Sequence, residues 1–247
     1  MSPKSVLNPA VITPGSSRHM EMIKWRRHIH AHPELAFMEQ QTSALVAKKL
    51  QEWGIEITTN WAETGVVGRI KGQGGPGPLI ALRADMDALS LEEKNTFEYK
   101  SRHKGKMHAC GHDTHMAMLM GAAKVLTSMK DKLNGKVKFI FQPAEEGAPA
   151  GEKGGAEVMV KEGVLKSPDV DVIFGLHISS AQDVGTVRYK EGGIMAAVDP
   201  YKIVVKGKQA HGAYPWKSVD PIVTAAQIIM GLQTIVSREV KLIDSAA

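Results

Sequence analysis

The sequence predicts an α/β protein with a mostly parallel central sheet flanked by helices, followed by part of a second domain. Three observations carry this. Apolar runs of strand length alternate with helical patterns at spacings that suit strand–helix–strand units. The runs Leu79–Leu82, Val137–Phe141 and Val172–Leu176 each end abruptly in polar, chemically capable residues. After Tyr189 the texture changes, with Glu191-Gly-Gly as a hinge.

In chain order, Met1–Ser17 has three prolines and only short apolar runs, so a loose arm is expected over residues 1–18. His19–His32 has an imperfect helical spacing and stops at Pro33. Glu39–Trp53 is a clearer helix, with Leu45, Val46, Leu50 and Trp53 on one face and Gly54 as its stop. Strands follow at Ile55–Thr59 and Val66–Ile70. The Gly/Pro-rich stretch GQGGPGP has no Lys-Ser/Thr after it and opens no helix, so it reads as a tight turn rather than a phosphate loop.

Leu79–Leu82 is a short strand running into Arg83-Ala-Asp-Met-Asp. His112–Met129 is helical, and its methionines read as core filler. Val137–Phe141 is a buried strand, Ala156–Lys161 a short helix, and Val172–Leu176 another strand. Beyond the hinge, Tyr201–Lys206 alternates as a strand, and Asp220-Pro221 opens a helix to about Ser237 with Asp as N-cap and Pro in the first position. One strand and one helix cannot bury each other's apolar faces. The expectation is therefore a metal-binding domain over 19–190 and half of a second domain over 191–247.

The net charge of +5 is spread thinly, and aromatics make up only 5% of the chain, so nucleic acid is not an expected partner. One cysteine excludes an intramolecular disulfide. No apolar run is long enough to span a bilayer, so no membrane association and a cytoplasmic location are expected.

Four clusters carry chemistry. In Met107-His-Ala-Cys-Gly-His-Asp-Thr-His115, Cys110 and His112 flank a glycine just before a helix and can converge on one point, where the helix N-terminus favours the thiolate. His115 follows on the same helix face. In Gln142-Pro-Ala-Glu145-Glu146, two adjacent carboxylates invite a division of labour, one holding a metal and the other taking a proton from water. His177 and the pair Asp85 and Asp87 also stand at strand ends, and either aspartate could orient a metal-bound imidazole. The donor set leaves the metal open among zinc, manganese, cobalt and nickel. No His-Glu-x-x-His, Cys-x-x-Cys or Gly-x-Ser-x-Gly motif competes.

Taken together, HAHPEL (His30–Leu35), ALRADMDAL (Ala81–Leu89), MHACGHDTHMAMLMGAA, FIFQPAEEG, GLH and KGKQAHGAYPWKSVDPI resemble the metallopeptidase family of aminoacylase and carboxypeptidase type. The match is to its amidohydrolase branch of hippurate, N-acyl-amino-acid and auxin-conjugate hydrolases. The resemblance implies an α/β catalytic domain and an α+β, ferredoxin-like satellite domain that often dimerises, so a homodimer is expected. It implies two divalent metal ions held by Cys110, His112, Glu146 and His177, with Glu145 as general acid and base. Asp85, Asp87, Asp113 and His115 would support the ligands from behind, and His211 would steady substrate or oxyanion.

The implied substrate is a small N-acyl-amino acid. A dipeptidase or carboxypeptidase of the same family, or a non-catalytic metal-binding or dimerising remnant, are the rivals. The family's last metal ligand is a histidine beyond the satellite, whereas the sequence stops at Ile243-Asp-Ser-Ala-Ala. This stretch alone is therefore expected to bind metal poorly and turn over little.

Overall fold

The computed structural model describes residues 15–166, 168–195 and 201–240; the arm expected over residues 1–18 falls almost wholly outside them. Chain contacts divide the molecule into two units between Ser180 and Ala181, upstream of the Glu191-Gly-Gly segment.

The first unit begins with helix α1 (Ser17–Ala31), which Ser16 caps by accepting the His19 N–H at 3.2 Å. Helix α2 (Gln40–Glu52) has no side-chain cap of its own at Glu39. Glu34 fills that role from the preceding turn, its carboxylate accepting the Gln41 and Thr42 N–H groups at 3.2 and 2.8 Å. Strands β1 (Glu56–Trp61), β2 (Gly65–Lys71) and β3 (Leu79–Asp85) follow, then α3 (His112–Ser128), β4 (Lys136–Gln142), α4 (Gly155–Lys161) and β5 (Val172–Gly175).

The five strands lie in the order β1-β2-β4-β3-β5. Strand β4 pairs in parallel with β3, and β3 with β5, whereas β2 runs antiparallel to both β1 and β4. Four of the five strands therefore point the same way, and β2 alone is reversed. The mostly parallel sheet expected from the alternation is present, with β1 and β2 adding an antiparallel margin. The crossover through α3 joins the parallel neighbours β3 and β4, and the one through α4 carries the chain past β3 to β5 on its far side; both need a helix-length connection.

Strand β4 shows how the sheet holds two layers apart. Phe139 and Phe141 enter a core with Ile29, Val46, Leu50, Met116 and Met120, beneath α1, α2 and α3. Ile140 points the other way, to a smaller core with Val67, Ala81, Met159 and Val164 under α4. The period of two sends alternate side chains to opposite faces, and both faces are covered. Lys138 shares the Ile140 side and stays buried because its ammonium donates to the Val164 carbonyl at 2.7 Å. Met116 and Met120 are fully buried packing residues.

In the second unit, α5 (Pro221–Thr234) starts as the sequence predicts, with Asp220 accepting the Ile222 and Val223 N–H groups at 2.8 and 3.2 Å. The strand expected over Tyr201–Lys206 is not formed. Among the described residues of this unit the only ladder contact is a bridge between Lys208 and Val219, and a strand pattern without a partner strand has nowhere to place its backbone bonds. Ile243–Ala247 lies outside the described residues.

Candidate metal centre

The parallel strands β3, β4 and β5 deliver their C-terminal ends side by side, with Asp85 opposite Gln142 in register. Such ends are where open α/β sheets build sites. From them emerge Asp85 and Asp87, Glu145 and Glu146, and His177. Helix α3 contributes His112 and, just before it, Cys110. Gly111 between them has a φ of 95°, and a Cβ there would run into the Ile178 side chain. Glycine is thus required twice, for the left-handed turn and for the close approach of the His177–Ile178 segment. That approach leaves the Cys110 Sγ 3.3 Å from the His177 Nε2.

His112 is wholly buried, and its Nδ1–H donates to the Asp87 carbonyl at 2.9 Å. In the neutral ring the other nitrogen, Nε2, carries a lone pair, and it has no hydrogen-bond partner. Burial lowers the His112 pKa, but the Asp87 bond and the charges of Asp85, Asp87 and Glu146 outweigh it, so without a cation a proton competes for that position. Around it, each at 3.6 Å, stand Asp85 Oδ2, Glu145 Oε2 and Glu146 Oε1. These separations are too long for hydrogen bonds. They match two ligand atoms that each sit about 2.1 Å from a shared ion, which places the pair roughly 3–4 Å apart. Glu146 Oε1 is buried and unpartnered as well. A buried lone pair facing orphaned carboxylate oxygen is costly without a cation and suits one well. The donor sets Cys110–His112–His177 and His112–Glu145–Glu146 each bring their ligand atoms within 4.8 Å of one another. The residues present therefore fit a divalent metal.

Asp85, His112 and His115 are also close enough to share an ion. Their hydrogen bonds argue otherwise. His115 accepts the Ile178 N–H at Nε2 (2.9 Å), so its Nδ1 is the donor to Asp85 Oδ1 (2.6 Å), and no lone pair is left. Asp85 gives its second oxygen to Arg83 (2.7 Å), whose Nε holds Gln142 (2.8 Å). Burial alone would raise the Asp85 carboxyl, yet the His115 bond and the Arg83 charge bring it to about 2. Asp87 is better placed to steer the candidate ligands. Its carbonyl fixes the His112 tautomer and its Oδ2 accepts the Glu146 N–H at 2.9 Å.

Two sequence expectations change. The helix N-terminus does not secure a Cys110 thiolate. Burial, then contact with Glu146 and the charges of Glu145 and Asp85, push the thiol up to about 12, so the anion needs a cation beside it. Asp113 does not stand behind a ligand. Its Oδ2 instead meets His30 Nδ1 at 2.8 Å and the Arg26 guanidinium at 2.7 Å, and its other oxygen is unpartnered. His211 lies in the second unit, where its Nδ1 accepts the Ala213 N–H at 3.2 Å. In the neutral ring Nε2 is then the donor.

Two buried groups carry no sign of their role in the sequence. Glu39 is fully buried, accepting the Thr64 hydroxyl at 2.6 Å and the Ala144 N–H at 2.9 Å. It thereby pins Ala144, whose φ is +48°, immediately before Glu145. Glu39→Leu is expected to cost about 1–3 kcal/mol by orphaning that N–H, and to weaken metal binding by roughly 10–100-fold as a support does. Glu39→Gln keeps an acceptor and should recover most of both. Equilibrium denaturation and metal titration check this, and equal losses in the two variants would count against it.

The second is His30, buried and held by Asp113 and by Glu93 at 3.1 Å. Burial lowers the His30 pKa, but these two bonds outweigh it and the net shift is upward, while Asp113 is shifted down. His30 therefore stabilises fully below its unfolded value of 6.5, and the contribution fades as pH rises through the folded value. Asp113 stabilises above its unfolded value of 3.8 and loses this as pH falls through the folded value. His30→Leu should cost about 3–5 kcal/mol near neutral pH, with the gap to wild type narrowing in alkali. Urea melts from about pH 5 to pH 9 that keep a constant gap would refute the assignment.

Known proteins place this geometry in context. Residues 81–241 match the model of peptidase family M20/M25/M40. The chain is 46% identical over 220 residues to the N-acyl-L-amino acid amidohydrolase of Geobacillus stearothermophilus, covering 89% of this chain and 58% of that protein. It is 45% identical to IAA-amino acid hydrolase ILR1-like 4 of Arabidopsis thaliana, covering 91% and 49%. Among solved structures it resembles the Bacillus subtilis YXEP protein, a dinuclear metal binding peptidase of the M20 family. That likeness has a TM-score of 0.66 at 43% identity and covers 71% of this chain and 48% of that one. A crystal structure from methicillin-resistant Staphylococcus aureus gives a TM-score of 0.75 at 37% identity, covering 93% and 59%. The chain thus spans about half the length of the curated relatives it matches. With the family model covering more than half of its residues and the strand ends carrying the donor set, the chain belongs to peptidase family M20/M25/M40.

Proposed function

We propose that this chain carries the metal-binding machinery of an amidohydrolase that cleaves N-acyl-amino acids, of hippurate or N-acetyl-amino acid type. The observation that carries the reading is the buried His112 Nε2 lone pair, ringed by carboxylates and flanked by the Cys110–His177 pair. Cys110, His112, Glu146 and His177 would hold two divalent ions, zinc or manganese by preference, with cobalt or nickel tolerated. When bound, such ions acidify water and polarise an amide carbonyl.

The chain's own residues do the rest. Glu145, the more exposed of the two carboxylates, takes the proton of the attacking water and returns it to the leaving amine. Asp87 keeps His112 in the ligand tautomer and Glu146 in place. The family resemblance assigns the oxyanion contact to His211, whose Nε2 is the donor in the neutral ring.

Residues 19–190 would form the catalytic domain and 191–247 the start of a satellite domain. The exposed Ile222, Val223, Ile229 and Met230 on α5 suit a homodimer contact there. A cytoplasmic location suits a lone cysteine kept reduced as a ligand. No helix among the described residues is long and apolar enough to cross a membrane.

Elemental analysis together with hydrolysis of hippurate, N-acetyl-amino acids and dipeptides tests the reading. Metal-dependent release of amino acid from the acylated substrates is expected of a protein that also carries the family's last histidine ligand, and only weak release from this chain alone. Relatives named thermostable carboxypeptidase, at 46–47% identity, favour peptide cleavage as the second reading. Turnover confined to peptides would select it, and a protein that binds no metal would end both.

A further inference from the structure

A second group of imidazoles lies outside the centre described above. His28 is exposed on the last turn of α1, and His32 is the C-cap of that helix, four residues on. Histidines so spaced share one helix face, the arrangement by which helices chelate transition metals. Their ring centroids are 4.5 Å apart, and the His103 ring lies 5.9 Å from that of His32. An imidazole nitrogen about 2.0–2.1 Å from an ion puts its ring centre roughly 3.2 Å away, so two rings on one ion have centres about 4.5–6 Å apart. Both separations fall in that range.

The tautomers also suit ligation. His32 donates Nδ1–H to the His28 carbonyl at 2.7 Å, and His103 donates Nδ1–H to the Pro33 carbonyl at 3.0 Å. In each neutral ring Nε2 is left with a lone pair. A cleft of about 20 Å³, lined by His28, Ile29, His32, Gln41, Thr42 and Leu45, adjoins the pair. That is room for one water-sized body. The negative end of the α1 dipole faces the same place.

We propose that His28 and His32, with His103 as a third ligand, form a peripheral binding site for a late first-row divalent transition cation such as Cu²⁺, Ni²⁺ or Zn²⁺. The three rings do not yet direct their nitrogens at one point, so binding turns these side chains, a motion of nanoseconds for accessible rings. Burial, His32 and Arg102 all hold His28 in its neutral, ligating form. Imidazole is a poor ligand for Mg²⁺ and Ca²⁺, so the donor set selects against them, while the Arg102 charge opposes every cation alike and must be outweighed by the metal–nitrogen bonds. The ion would tie the end of α1 to the segment around His103, which already bonds back through Arg102 N–H to the Ala31 carbonyl.

The test uses zinc-loaded protein, to which Cu²⁺ is added while its electron paramagnetic resonance spectrum is recorded; copper displaces any zinc at these imidazoles because it binds them more tightly. One equivalent of copper with nitrogen hyperfine structure is expected. His28→Ala and His32→Ala should each weaken it at least about tenfold, and His103→Ala by a smaller factor. His112→Asn should leave the signal intact, which separates this site from the centre of the proposed hydrolase. The site is refuted if the His28→Ala/His32→Ala double variant binds copper as tightly as wild type, or if no nitrogen-coordinated copper is taken up. An unchanged affinity in His103→Ala removes the third ligand.

Discussion

Glu145→Gln is expected to leave the metal content unchanged and to lower kcat by roughly 10²–10⁴-fold, the usual worth of a positioned general base. The two adjacent carboxylates differ in what holds them. Glu146 is 21% exposed, its Oε1 is buried without a partner and its N–H is tied to Asp87, so it is committed to the interior. Glu145 is 41% exposed and only its edge approaches His112, so it reaches open space where the proposed substrate would lie. Burial, with repulsion from Asp85 and Glu146, holds its carboxyl above the ordinary range although His112 opposes this. A base with a raised pKa is better matched to neutral pH. The wild-type rate should climb as pH rises through that value, and the glutamine variant should lose this limb. Glu146→Gln, by contrast, should lose metal first. A Glu145→Gln protein that retains near-wild-type turnover, or that loses its metal, would reassign the pair.

Much of the fold was legible because its signals are local. A period of two in β4 and a glycine or proline at the end of α2 and α1 act within a few residues, and the elements fall within a few positions of their expected bounds. The Tyr201–Lys206 stretch shows the limit. Alternation states that a strand would be amphipathic, but only a partner strand makes it one, and the partner is not local. The site divides the same way. Cys110 and His112 sit two apart, and Glu145 and Glu146 adjoin, so residue type and spacing expose them. Glu39 gave no such sign: it lies 105 residues before its Ala144 partner and resembles any helix-start glutamate. Asp113 misled for a related reason. Its neighbours in sequence are ligand candidates, but at the start of a helix the next residue points about 100° away, and there it found His30 and Arg26.

His112→Asn is expected to be folded, metal-poor and inactive, with metal affinity reduced by more than the roughly 10–100-fold that loss of a supporting group costs. Asparagine isolates the one atom at issue. Its amide can still donate to the Asp87 carbonyl where Nδ1 does now, but it has nothing at the position of Nε2. Glu145, Glu146 and Asp85 are then left facing a gap rather than a ring nitrogen. Added zinc should raise the Tm of wild type by mass action, by about 2.7 kcal/mol of stability at a hundredfold excess over Kd, and should shift the variant far less. Without metal the two proteins should melt within a few degrees of each other, because the hydrogen bond that holds the turn is kept. Cys110→Ser makes the companion case, since Sγ adjoins His177 and its thiolate requires the cation. If the His112→Asn protein binds zinc like wild type, the Nε2 lone pair is not a ligand and the donor sets must be redrawn around another ring.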